Sequence, residues 1–182
     1  MKRIRLSHSL IQAFERGNMQ EVIDCYFHLN KKSNPAMDAG RALHAEIAES
    51  ITNYNSLPDY MDFKATFLTP KTEHEVTVPY NEICDIKGVF DCLDEPNLYE
   101  WKTGVSDSLE WARTGQIPLY FLICELAGID VNLAYLVRHN QHAHETDYAI
   151  IHNSQKLRDK ARNVVDSVAW DIHQYFLDQG LL

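Results

Sequence analysis

Two acidic side chains and a lysine stand close together in the middle of this sequence: Asp91, then Glu100-Trp101-Lys102. In an extended strand, residues i and i+2 share a face, so Glu100 and Lys102 project together while Tyr99 and Trp101 face the other way. Asp91 precedes a turn, Asp94-Glu95-Pro96-Asn97, that would fold it back beside Glu100. Carboxylate oxygens suit Mg²⁺ or Mn²⁺, which take one or two acidic ligands together with waters and phosphate oxygens. The chemistry on offer is phosphodiester hydrolysis, with a cation polarising the phosphoryl group and acidifying a water. The lysine would hold the attacking water or offset charge growing on the phosphate. A Glu-x-Lys pair alone is more often a solvated strand face with a weak internal attraction, so its surroundings must carry the argument.

Those surroundings divide by hydrophobic period. Residues 7–29 read as helix, broken near Gly17-Asn18, with Leu10, Ile11, Phe14, Val22, Ile23, Tyr26 and Phe27 as its apolar stripe. Lys31 to Pro35 is a turn, and a second helix is expected from Met37 to Tyr54 with Ala42, Leu43, Ile47 and Ile51 inward. A shorter helix is expected from Asp59 to Leu68. The period then changes to two, giving strands over Glu75–Pro79, Ile83–Leu93 and Leu98–Lys102 in an antiparallel meander, with Gly88 a bulge or a close approach. A helix over Ser106–Ala127 is kinked near Gly115 and Pro118, or else starts near Thr114–Gln116 with the proline in its first turn. Val131–Val137 and Tyr148–Ile151 read as strands. Asn153 is the expected N-cap of a last helix reaching Asp178, with Leu157, Ala161, Val164, Val165, Val168, Trp170 and Ile172 inward. The pattern predicts an α/β sheet covered by helices.

Length and composition fit one domain over residues 1–182: a helical part (1–70), a sheet core carrying the site (71–152) and a closing helix (153–182). No apolar run is long enough to span a bilayer, and MKRIRLSHSL lacks the apolar stretch of a secretory leader, so cytoplasmic residence is expected. The cysteines, Cys25, Cys84, Cys92 and Cys124, are scattered without CxxC spacing, which argues against a disulfide scaffold, a zinc ribbon or an iron–sulfur cluster. The net charge of −9, from 17 basic and 26 acidic residues, runs against avid nonspecific binding to DNA. A cation site answers part of this, because carboxylates that repel DNA become ligands once metal arrives.

Gly88-Val89-Phe90-Asp91 followed by Glu100-Trp101-Lys102-Thr103-Gly104 resembles the Gly-x-x-Asp and Asp/Glu-x-Lys-Thr-Gly segments of RecB-type nucleases in the PD-(D/E)XK superfamily. Gly40-Arg41-Ala42-Leu43-His44 resembles that family's helical Gly-x-x-x-His element, and Gln116-Ile117-Pro118-Leu119-Tyr120 its Gln-x-x-x-Tyr helix. Leu6-Ser7-His8-Ser9-Leu10 is similar to its N-terminal Ser-x-Ser helix start. The elements stand in family order over about residues 7–150. The resemblance implies a restriction-endonuclease-like core, a mixed central sheet in the order αβββαβ flanked by helices, with an N-terminal helical extension. It also implies a set of roles. His44, Asp91, Glu100 and the backbone carbonyl of Trp101 would be metal ligands for Mg²⁺ or Mn²⁺; Asp91, Glu100 and Lys102 would be catalytic. Gln116 and Tyr120, one turn apart, would border the site. The late cysteine group of the iron–sulfur relatives is missing, and so is any helicase motif.

Around this centre stand accessory candidates. Glu75 is a further acidic residue that is as readily an exposed strand position; Arg41 and Arg113 are candidates for substrate contacts, as are Lys31-Lys32 and Lys156 to Arg158. His139, His142 and His144 resemble a metal site by composition, although histidines after a strand are commonly just exposed. The expected activity is a metal-dependent deoxyribonuclease acting on DNA ends or single strands, an exonuclease or structure-directed enzyme of recombination, repair or replication. The alternative is a catalytically silent scaffold that keeps the nuclease fold, favoured by the acidic charge; a metal store built on the histidine cluster is a weaker rival. Homo-oligomerisation, as a ring or with a partner protein, stays open.

Overall fold

The computed structural model describes residues 2–29, 34–103, 110, 112–140 and 143–182. Lys31, Lys32, Gly104, Ser106 and His142, which figure above, lie outside them. In chain order the elements are β1 (Ile4–Ser7), α1 (His8–Glu15), α2 (Met19–Tyr26), α3 (Pro35–Tyr54), β2 (Lys71–Pro79), β3 (Cys84–Asp94), β4 (Asn97–Thr103), a π-helical turn (Ala112–Gln116), α4 (Ile117–Ala127), β5 (Leu133–Asn140), β6 (Glu145–His152) and α5 (Gln155–Asp178).

The strands form one mixed sheet of six, ordered β1-β3-β4-β5-β6 with β2 against β3. β2, β3 and β4 make the expected antiparallel meander. β4 and β5 run parallel, so the chain between them crosses over through α4. β6 returns antiparallel to β5 along the sheet's edge. One face packs on α1, α4 and α5 through Ile86, Phe90, Leu98, Leu136, Phe121, Val165 and Ile172. The other packs on α3 through Leu43, Ile47 and Ile51, with Tyr99, Trp101 and Val137 from the strands. Each such fully buried side chain contributes roughly 1.5–3 kcal/mol. The result is helix, sheet, helix, and the α/β architecture expected from the sequence is present.

Several elements differ from expectation for identifiable reasons. β1 was not anticipated: Ile4 and Leu6 alternate inward and pair parallel to β3, but four residues are too short to show a period. Asp59–Leu68 is not a helix. It is an irregular segment opened by a turn, Met61 N–H to Pro58 O at 3.0 Å, whose Leu57, Met61, Phe63 and Phe67 fill the face beside α3. β2 begins at Lys71, ahead of the alternation that marked its second half. The irregularity expected near Gly115 and Pro118 is the π-helical turn Ala112–Gln116, which runs directly into α4 with Pro118 in the α-helix's first turn; Glu110 is helical too, so the chain is helical on both sides of Gly115. Ser154, not Asn153, is the N-cap of α5; Asn153 instead donates to Val131 O at 2.6 Å and accepts from Arg158, tying the helix start to the approach to β5. Trp170 is 60% exposed. The buried stripe of α5 follows Ala161, Val165, Val168, Ile172 and Phe176, and Trp170 falls off it.

Candidate active site

Two glycines set the frame. A Cβ on Gly40 would come within 2.8 Å of Thr103 Oγ1, so α3 can lie against the end of β4 only because residue 40 has no side chain. One turn later on the same helix, at i+4, comes His44. A Cβ on Gly88 would meet Ile123, Phe90 and Tyr120 at 3.0–3.1 Å. The bare backbone there admits the Tyr120 ring from α4, and Tyr120 OH donates to Val89 O at 2.7 Å. The close approach expected at Gly88 is what the structure contains.

Asp91 stands where the sheet changes face. Ile86, Phe90 and Leu93 belong to the core under α4 and α5, whereas Cys92 packs with α3, so the simple alternation fails between Phe90 and Leu93. The partner strand breaks at the same level. The β2–β3 register holds on both sides, Thr72↔Cys92 and His74↔Phe90, but Glu73, opposite Asp91, has φ +48° and drops out of the ladder. A non-glycine residue in that region carries strain of order 1–3 kcal/mol and points to a site that needs it. The double break lets Asp91 meet α3 while Glu100 faces α4.

The two carboxylates are held alike. Asp91 Oδ2 accepts the Trp101 N–H at 2.7 Å, and its Oδ1 lies 3.5 Å from His44 Nδ1. Glu100, 2% exposed, has Oε1 bonded by Lys102 Nζ at 2.5 Å and by Gln116 Nε2 at 2.6 Å. Its Oε2 is buried with no hydrogen-bond partner among the described residues. Gln116 also donates to Tyr120 OH at 2.8 Å, so the chain from Val89 through Tyr120 and Gln116 fixes Glu100. Each acid thus has one oxygen secured, and Glu100 has a second left over. A buried acceptor without a partner costs about 1–3 kcal/mol, more when charged, and such groups call for an explanation.

Charge crowding tells the same story. Burial, and then the neighbouring Asp91 charge, raise Glu100 above the usual carboxylate range, opposed by Lys102. Glu73 is raised by burial and by Asp91 in the same way. Burial alone would lower His44, but its hydrogen bond to Asp91 and the Asp91 and Glu100 charges outweigh that and raise it. Among the described residues, ligand atoms of His44, Glu73 and Asp91 lie within 4.8 Å of one another and could hold a metal ion. An open groove of about 530 Å³, lined by Gly40, Arg41, His44, Glu73 and Thr103, leads to them.

Set against the expectations, the structure brings together His44, Asp91, Glu100, Lys102, Gln116 and Tyr120. Tyr120 is buried as well as polar in use. At Trp101 the contact seen is its N–H, not its carbonyl. Glu75 is not part of the site: it is exposed, paired to Lys87 at 2.6 Å and opposite Val89. Glu73, two residues earlier, takes the place at the site, and the signal that would have found it is the register of β2 on β3, which the sequence does not display. Arg41 lines the groove and pairs with Asp38. Arg113 is exposed, 4.0 Å from Glu110, with no contact to these groups. Neither His139, buried against Thr146 and Tyr60, nor the exposed His144 joins the metal-ligating group found among the described residues.

The six-stranded mixed sheet and its flanking helices form an α/β fold shared with solved exonuclease structures. Those structures are distant in sequence. The exonuclease LHK-Exo of Laribacter hongkongensis, in complex with dAMP, matches with a TM-score of 0.61 at 14% identity, over 96% of this chain and 92% of that one. An inferred exonuclease from Eubacterium rectale matches with a TM-score of 0.65 at 12% identity, over 98% and 82%. A phage-related exonuclease from Haemophilus somnus 129PT matches with a TM-score of 0.53 at 12% identity, over 94% and 83%. No protein-family model and no curated protein matches the sequence. At these identities the likeness speaks for the fold.

Proposed function

We propose that the protein is a divalent-metal-dependent deoxyribonuclease of the PD-(D/E)XK type that hydrolyses phosphodiester bonds at DNA ends or in single strands, in recombination, repair or replication. The observation that carries this reading is the buried Oε2 of Glu100, without a hydrogen-bond partner among the described residues, next to Asp91, which itself clusters with His44 and Glu73. Oxygen ligands, a neutral imidazole and like-charged carboxylates a few ångströms apart fit Mg²⁺ or Mn²⁺. His44, Glu73, Asp91 and Glu100 would hold the ion, with the carbonyl of Trp101 a further donor. When bound, the cation supplies Lewis-acid stabilisation of the phosphoryl group and acidifies a water.

The chain's own groups do the rest. Lys102, partly exposed and anchored on Glu100, presents its ammonium where charge grows on the scissile phosphate, or holds the attacking water. Gln116 and Tyr120 keep Glu100 from swinging toward Lys102 with both oxygens, which preserves Oε2 as a ligand. The Trp101 N–H does the same for Asp91, fixing one oxygen so that the other faces His44. Holding the donors still in advance is what lets a small site act without reorganising.

The test is cleavage of end-labelled single- and double-stranded DNA with Mg²⁺ or Mn²⁺ by the wild type, Lys102→Ala and Asp91→Ala. We expect metal-dependent cleavage by the wild type and none by either variant. Equal activity in all three would refute the site. DNA binding without any cleavage would point instead to a silent scaffold, the reading the acidic charge favours.

A further inference from the structure

The face of the sheet beside α3 carries an aromatic series that starts at the candidate site and ends in solvent. Trp101, next to Lys102, stacks on Tyr99 at 5.8 Å, and Tyr99 on Tyr135 at 5.0 Å. Tyr135 meets Phe63 at 5.8 Å, and Phe63 meets Tyr148 at 5.1 Å. The first rings are buried, yet Tyr148 is 55% exposed and Ile150, on the same face of the edge strand, 48%. Nearby Tyr60 is 43% exposed, its ring 5.2 Å from that of His139 and its hydroxyl bonded to Glu46 on α3.

Register locates these rings relative to the chemistry. Trp101, Val137 and Tyr148 lie level across β4, β5 and β6, so two strand spacings, about 9.6 Å, separate Tyr148 from the catalytic strand. Thr103, which lines the groove at His44, lies level with His139, and His139 is the ring under Tyr60. His139, one strand over from Thr103 at the groove's edge, therefore stands between the groove and Tyr60. His139 and Val137 are two residues apart in β5, roughly 6.8 Å, which is about twice the 3.4 Å rise of stacked bases.

We propose that Tyr60 and Tyr148, with Ile150, form a stacking platform for the nucleobases of a single-stranded flank of the substrate, just beyond the cleavage groove. This rests on the nuclease reading above. Single strands have exposed base faces, and aromatic rings bind them without regard to sequence. Both tyrosines are already braced, by Phe63 and by Glu46 with His139, so little side-chain freedom is lost on contact. A second copy of the chain fits less well. Three half-exposed side chains of about 150–250 Å² each fall well short of the ~800 Å² per partner of a stable interface. Stacking also suits an acidic protein, since it draws on no positive charge.

The test uses the full chain with base-bearing and abasic single strands of equal length and charge, measuring Kd by anisotropy and KM and kcat for the base-bearing strand. Tyr148→Ala and Tyr60→Ala should each raise Kd and KM for that strand about 5- to 100-fold. They should leave kcat and metal-dependent cleavage in place, Tyr148→Trp should restore affinity, and the abasic strand should be indifferent. Unchanged Kd, or equal losses on both strands, would overturn the platform while leaving the nuclease reading standing. So would loss of self-association in Tyr148→Ala with DNA binding intact, which would make the surface a protein contact. A wild type that neither cuts nor binds DNA would sink both.

Discussion

Glu100→Gln is nearly isosteric and separates two accounts of the buried acid. If Glu100 is chiefly a structural partner of Lys102 and Gln116, removing its charge breaks a buried pair, which typically costs 3–5 kcal/mol. If it is a ligand held in wait, its charge is a burden to the metal-free protein: Oε2 has no partner, Asp91 stands close, and the group sits above its ordinary range. Lys102 is 21% exposed and can turn to water, so its loss of a counter-charge is cheap. The amide puts a neutral N–H where the unpartnered Oε2 stood, so what the change removes is the buried charge, worth about 1–3 kcal/mol, and for a chain of this size each kcal/mol moves Tm by roughly 2–4 °C. We therefore expect the metal-free variant to melt roughly 2–12 °C above the wild type at neutral pH and above. A carboxyl raised in the folded state makes folding stability fall as pH climbs from the ordinary carboxyl range toward the folded value, so the advantage should vanish below that range. Mg²⁺ should stabilise the wild type, by about 2.7 kcal/mol at a hundredfold excess over Kd, and leave the variant unmoved and inactive. Thermal melts in EDTA and in Mg²⁺ across pH read all of this. A variant that melts below the wild type in EDTA would refute the argument.

Glu73→Gln should weaken Mg²⁺ or Mn²⁺ affinity at least tenfold by calorimetry, whereas Glu75→Gln should leave it unchanged; equal effects would mean that the break at Glu73 serves some other purpose. Because His44 is raised by Asp91 and must be neutral to ligate, metal affinity should rise as pH climbs through its folded value, with protons released on binding. His44→Gln should remove the imidazole's share of that pH dependence and leave the share owed to Glu100. DNA affinity of Lys102→Ala should increase at least tenfold when EDTA is replaced by a divalent cation, measured by anisotropy; equal binding in both would show that the acidic site does not govern association.

How far the sequence disclosed this molecule depends on the kind of signal. The Glu100 and Lys102 pairing was legible because strand period two is local, and the helical spacing of Gln116 and Tyr120 for the same reason. The role of Gly40 was visible only as a motif; its cause, Thr103 pressing on α3, is a contact across 63 residues of chain. Glu73 was hidden because its place depends on which β2 residue faces Asp91, and its left-handed backbone erases the alternation that would have marked the strand. Asp59–Leu68 misled because its apolar residues reach the α3 face along an irregular path, and at this short length their spacing looks like a helical stripe. Trp170 misled for the opposite reason: a bulky apolar residue on an amphipathic helix draws the eye inward, although its neighbours at three and four residues define a different side.

The acidity of the chain, which runs against avid binding to DNA, becomes intelligible residue by residue. Among the described residues, most basic side chains are committed to acidic partners, for example Arg3 with Asp85, Lys87 with Glu75, Arg138 with Asp147, and both Arg158 and Arg162 with Glu125, which leaves fewer of those described to form the positive stripe that ordinarily draws in a phosphate backbone. At the candidate site Asp91 raises both Glu73 and Glu100, a repulsion that a divalent ion would relieve and that Lys102 already opposes at Glu100. On the proposed nuclease reading, affinity for DNA would draw less on a broad positive field than on the cation site and on uncharged contacts close by, which would tie binding to the loaded site.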